Sequence, residues 1–135
     1  MKREILFKGK LLHSKEWIEG NLIMMQNKKS FILPIEAFNS YNNNLIINSD
    51  NPFLVDENTI FQFINQTDKI GRKIFEGDYD ADGNCILWCD KCNGYEFAQL
   101  DIPTKDICIS CHRCDGHFFF ADHINDFKIV GNIAD

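Results

Sequence analysis

The chain carries six cysteines, and four of them fall into two copies of one short pattern. Cys89-Asp90-Lys91-Cys92-Asn93-Gly94 is followed by Cys111-His112-Arg113-Cys114-Asp115-Gly116. Each copy reads Cys, acid or His, base, Cys, Asn or Asp, Gly. Cys-x-x-Cys puts two thiolates on one tight turn. Backbone amides can point at the sulfurs there, and a glycine after the turn can take the positive φ that lets the chain leave. Two such turns facing each other make a tetrahedral four-sulfur cage for zinc. The predicted ligands are Cys89, Cys92, Cys111 and Cys114, holding one structural Zn2+ per chain. Fifteen residues separate Cys92 from Cys108 and eighteen separate it from Cys111, and both gaps suit a zinc ribbon. Cys108 is therefore the alternative ligand, although only Cys111 and Cys114 repeat the form of the first turn. His112 and His117 are runner-up ligands. The competing readings are reduced, buried thiols that bind nothing, and an iron–sulfur centre.

Four thiolates close the coordination sphere and leave no position for water or substrate, which makes the metal structural. Metal binding then couples to folding and supplies stability that so short a hairpin lacks. No His-Glu-x-x-His, P-loop or dinucleotide fingerprint is present, and no nucleophile–base pair can be assembled. The expectation is a protein that is not an enzyme. Asp78, Asp80 and Asp82 before Gly83 faintly resemble a calcium loop. Cys89 stands where the bidentate Glu belongs, so an exposed acidic turn is the better reading.

Strand signals dominate the elements that must position these cysteines. Glu4–Lys8 reads as a first strand. Glu16–Glu19 and Leu22–Met25 flank Gly20-Asn21, a two-residue hairpin signal. Ser30–Leu33 is a third strand, Asn42–Asn44 a loop tip, Leu45–Ile47 a short strand, and Thr59–Ile64 a half-buried one. Cys85–Trp88 runs into the first knuckle and Tyr95–Leu100 leaves it. Ile107–Ser110 runs into the second and His117–Phe120 leaves it. Phe127–Val130 is the last strand. The fold class is mainly β: a small barrel- or sandwich-like domain of residues 1–84 plus 124–135, with an inserted zinc-ribbon module at 85–123.

The net charge of −6 is unevenly placed. Residues 1–73 carry ten bases and eight acids, whereas residues 74–135 carry four bases and twelve acids. Phosphate neutralisation dominates non-specific nucleic-acid affinity, so the acidic cysteine-bearing half is a poor duplex-binding surface. No apolar run is long enough to span a membrane. The opening residues form no signal peptide, which leads to a cytoplasmic expectation. Cysteines in such a setting favour metal over disulfides.

Four stretches, taken together, resemble a known family. They are Arg3–Lys10, Glu16–Gly20, Val55–Thr59 through Gln62, and Asp68-Lys69-Ile70-Gly71-Arg72-Lys73-Ile74-Phe75-Glu76-Gly77-Asp78. The closing Phe127-Lys128-Ile129-Val130-Gly131-Asn132-Ile133 fits the same pattern. The chain resembles the YopX family of bacteriophage and prophage proteins over residues 3–78 and 127–133. The resemblance implies a small, largely β, phage-encoded protein acting in the host cytoplasm. It supplies no activity and no catalytic residues. The paired cysteines depart from the usual family pattern and look like an elaboration.

The leading functional expectation is a non-enzymatic binding protein that recognises a host or defence protein or self-assembles as a homo-oligomer. Tyr95, Phe97, Phe118 and Phe120 are the candidate binding aromatics. At least one ring of Phe118-Phe119-Phe120 must face away from the others, and if uncovered it marks a partner interface. Two alternatives stand beside this. One is single-stranded nucleic-acid binding through the ribbon, with Lys91, Arg113 and the aromatics as a stacking surface. The other is a small nucleotide signal held between protomers by Lys8, Lys10, Lys28, Lys29, Arg72 and Lys73.

Overall fold

The computed structural model describes residues 3–26, 29–34 and 53–135. Lys28, the Asn42–Asn44 tip and the strand expected at 45–47 lie outside the described residues. The chain divides into two compact units, Met1–Phe63 and Ile64–Asp135.

The first unit is built on an antiparallel sheet. Its order is β4 (Leu54–Val55), β3 (Ser30–Leu33), β2 (Trp17–Met24), β1 (Phe7–Lys10) and the start of β5 (Phe61–Thr67). β1 begins three residues after the expected start. All four residues of β3 are buried, as a short continuous apolar run predicts for a strand covered on both faces. The expected hairpin at Gly20-Asn21 does not form: β2 runs straight through it and pairs residue by residue with β1 and β3. Gly20 serves close approach instead. A Cβ there would lie 2.1 Å from the Leu33 carbonyl oxygen, so only glycine lets β3 come this near. A 3-10 turn at Glu57–Thr59 leads into β5. Asp56 caps it by accepting from the Asn58 N–H at 3.0 Å, and the Thr59 hydroxyl accepts from the Lys10 N–H at 2.8 Å.

In the second unit β5 ends, β6 (Lys73–Phe75) follows, and a five-stranded antiparallel sheet forms. Its order is β10 (Asp106–Ile109), β9 (Gly94–Asp101), β8 (Asn84–Cys89), β7 (Asp78–Tyr79) and β11 (Gly131–Asn132). Successive cross-strand pairs alternate faces. The Ile86–Phe97 pair joins Ile74, Ile124 and Phe127 in one core cluster, while the Cys85–Ala98 pair joins Tyr79 and Leu100 in another. The expected module at 85–123 therefore does not stand apart. β8 and β9 are inner strands of the sheet that also contains β7 and β11.

The expected strand at Phe127–Val130 is extended chain without a ladder, and only Gly131–Asn132 pairs as a strand. Its backbone partners explain this. The Ile129 N–H donates to the Asp68 carboxylate at 3.1 Å, and the Phe127 carbonyl accepts from the Lys69 N–H at 2.9 Å. A side chain and a turn, rather than a neighbouring strand, occupy these groups. His117–Phe120 is likewise no strand, and Phe120–His123 forms one helical turn. The fold is mainly β, as expected, and no sheet among the described residues closes into a barrel.

Candidate metal centre

The β8–β9 hairpin presents Cys89 and Cys92. The chain after β10 runs on along β9, where the His112 N–H donates to the Phe97 carbonyl at 2.8 Å and sets the second knuckle beside the first. Each knuckle is left through a residue of positive φ. In the second this is Gly116 (φ 78°), but in the first it is Asn93 (φ 54°) rather than Gly94. Asn is the residue other than glycine that most readily takes this conformation.

The four predicted cysteine sulfurs all lie within 4.8 Å of one another. Cys89 Sγ and Cys92 Sγ are each 3.6 Å from Cys114 Sγ, and Cys92 Sγ is 3.9 Å from Cys111 Sγ. A disulfide needs about 2.05 Å, so these are not bonded pairs. Four ligands placed tetrahedrally at about 2.3 Å from one zinc stand about 3.8 Å apart. The sulfur cage has that size. An iron–sulfur cluster seats its cysteines on separate irons and spreads them wider than one shared metal does.

The electrostatics of the cage ask for a cation. The Cys92 backbone N–H and the neighbouring thiols lower Cys89 to about 7. Burial, with the hydrogen-bonded Cys114, Cys89 and Cys111, pushes Cys92 up to about 12. The hydrogen bond from Cys89 likewise raises Cys114. Cys89 gives up its proton near neutrality while Cys92 and Cys114 hold theirs, because adjacent thiolates repel. A divalent ion at the centre removes that repulsion.

The two remaining cysteines stand outside the cage. Cys108 is exposed on β10, next to a register shift, and its Sγ lies 3.9 Å from the Asp106 carbonyl. It does not join the four sulfurs. Cys85 is fully buried, and burial together with the Asp78 carboxylate pushes it up to about 12. It is an inert core thiol.

His112 and His117 are occupied elsewhere. Gln99 Nε2 donates to the Asp82 carbonyl at 2.9 Å, which directs Gln99 Oε1 at His112 Nε2, 3.1 Å away. His112 Nε2 therefore carries the hydrogen, and His112 Nδ1 accepts from His117 Nδ1 at 2.9 Å. Both nitrogens of His112 are engaged in hydrogen bonds. Burial, then repulsion from His117, holds it below the usual imidazole range and favours this neutral form. Asp80, the centre of the faint calcium pattern, is likewise used locally: its carboxylate accepts from the Asp82 and Asn84 N–H groups and from the Asn84 side chain.

The aromatics sort by burial. Phe97 is 2% exposed, and Phe118, Phe120 and Tyr95 pack against its cluster. A buried ring such as Phe97 offers a partner no surface. Among the described residues, the large aromatic rings that stand exposed are Trp88 and Phe119, at 48% and 52%. Phe119 is the member of the Phe triplet that faces outward, and the Arg113 guanidinium lies 4.9 Å from its ring centre. Sequence reasoning did not single out Phe119 alone, although its position between two inward rings is the signal. In the first unit, the Lys8 and Lys10 ammonium groups lie 4.5 and 5.3 Å from the Trp17 ring centre. Arg72, in the second, is committed to Asp68. No helix among the described residues is long and apolar enough to cross a membrane. No family model, curated protein or solved structure matches the chain.

Proposed function

We propose that this is a YopX-like, phage-encoded, non-enzymatic binding protein whose second unit is held by one structural zinc ion, and that it acts by recognising another protein or a second copy of itself. One observation carries the metal assignment: four cysteine sulfurs, on two knuckles, spaced as one tetrahedral centre requires. Zinc is preferred among the thiolate-seeking metals because both knuckles have ribbon spacing and the cage is closed. A closed cage does no chemistry on a substrate. It fixes a surface, and that surface bears the exposed Trp88 and Phe119 among acidic residues. Exposed aromatic rings at a rigid site suit protein recognition. The family reading rests on the residues quoted above and supplies the phage and host-cytoplasm setting.

A nucleotide-binding reading has its own support in Lys8 and Lys10 beside Trp17, since ammonium groups around an indole suit a phosphate with a stacked base. Native mass spectrometry of the protein purified in the presence of zinc tests the main reading. One zinc per chain in a defined oligomer, or in a complex with a host protein, supports it. A metal-free monomer with no partner rejects it.

A further inference from the structure

Behind the second knuckle lies an open pocket of about 410 Å³, lined by Arg113, His117, Phe118, Phe119, Asp122 and His123. Its size is that of small-ligand sites, and its composition is mixed in an ordered way. Aromatic surface comes from Phe118 and Phe119. Phe118 is stacked on His112, with ring centroids 4.4 Å apart, and meets His123 edge-on at 4.6 Å, so its plane is held. Phe119 keeps half its surface in water.

The donor is Arg113, and it too is positioned. Glu96 is 7% exposed, and its Oε1 makes no hydrogen bond. A buried carboxylate in that state needs a countercharge, and Arg113 Nη1 lies 3.9 Å from it. This contact and the Phe119 ring fix the guanidinium while leaving most of its five N–H groups for a ligand. Acceptors face the same space. They are the two carboxylate oxygens of Asp122; His117 Nε2 is turned to the Asp115 carboxylate, 3.4 Å away.

The ligand must therefore be flat, with hydrogen-bond acceptors on one edge and donors on another. We propose that this pocket binds a guanine base. Guanine offers O6 and N7 to an arginine, the commonest specific arginine–base pairing, and its N1–H and N2–H groups to a carboxylate. Adenine lacks the paired acceptors, and the pyrimidines offer a smaller face for stacking. The acids of this unit disfavour phosphate, so recognition rests on the base, and guanosine binds about as well as GMP. The pocket shares Phe119 with the recognition surface proposed above, but its base contacts depend neither on that reading nor on which metal fills the cage.

Calorimetric titration of the metal-loaded protein with GMP, AMP, CMP and UMP tests this. GMP binds at least about tenfold more tightly than AMP. Asp122→Asn removes the preference, and Phe119→Ala weakens every nucleotide about tenfold. Both side chains are exposed, so metal content and fold survive either change. A guanine-bearing single strand binding where GMP fails identifies a strand as the source of the base, and equal binding identifies the free nucleotide. Equal affinity for all four nucleotides, no binding by GMP or the strand, or indifference to both substitutions overturns the proposal.

Discussion

The side-chain amide of Asn132 donates to Asp78 Oδ1 at 2.9 Å, across 54 residues of chain. Both residues are 2% exposed. The other Asp78 oxygen accepts from the Phe75 N–H at 2.8 Å, and the Asn132 amide also reaches the Glu76 carbonyl at 3.3 Å. The Glu76-Gly77-Asp78 turn and the Gly131-Asn132-Ile133 terminus are thus two halves of one clasp. The two cysteine knuckles lie in the chain between them. These residues pin the ends of the segment that carries the cage.

Asn132→Ala should destabilise the second unit by about 2 kcal/mol, since it leaves a buried carboxylate short of a donor. Asn132→Asp should cost more, because it places like charges together at the same spot. Urea unfolding followed by Trp88 fluorescence measures both. Wild-type stability in either variant would show that the clasp is incidental.

Asp68 is a second fastening point. Burial opposes its charge, but the backbone N–H groups of Arg72, Ile129 and Ile70 and the Arg72 guanidinium outweigh that and hold it below the usual carboxylate range. With the folded value depressed, its contribution is complete above the unfolded value of about 4 and is lost as pH falls through the folded one. Asp68→Ala should cost about 3 kcal/mol at neutral pH. Asp68→Asn should flatten the loss of stability on acidification. An unchanged acid profile in that variant would contradict this assignment.

Gly20→Ala should destabilise the first unit by about 3 kcal/mol, because the new methyl meets the backbone of Leu33 rather than a movable side chain. Thermal melting reads this directly. A tolerated alanine would mean that β2 and β3 separate easily at this point.

Gly20 also shows where sequence reading stops. A glycine followed by asparagine between two apolar runs looks the same whether the chain turns there or another strand passes close by. Only the tertiary partner, Leu33, decides between them. Phe127–Val130 failed as a strand for a similar reason: its pattern is strand-like, but Asp68 takes the backbone group that a neighbouring strand would need. The cysteine pairing was legible because knuckle spacing is local. Two residues between thiols and a φ-permissive exit shape each half before the rest of the fold is known. The strands flanking the first knuckle, Cys85–Trp88 and Tyr95–Leu100, were legible too, from their short β-rich runs on either side of it. The burial of Phe97 was not, because a strand's alternation does not say which face a second layer covers.

Metal loading should fall with acid. Four thiols must lose their protons to bind one ion, and those of Cys92 and Cys114 are held back without it, so affinity rises with pH and binding releases protons. Titration in buffers of different ionisation enthalpy, by calorimetry, counts them. Cys114→Ser should lose the metal, while Cys108→Ser should keep it. Loss in Cys108→Ser with retention in Cys114→Ser would exchange their roles.

The account stands or falls on one centre made of four sulfurs. X-ray absorption at the zinc edge of the zinc-loaded protein tests this most directly. The account predicts a single shell of four sulfurs at about 2.3 Å with no nitrogen or oxygen and no second metal nearby. A mixed shell containing imidazole nitrogen, or zinc that washes away with no ordered shell, would contradict it.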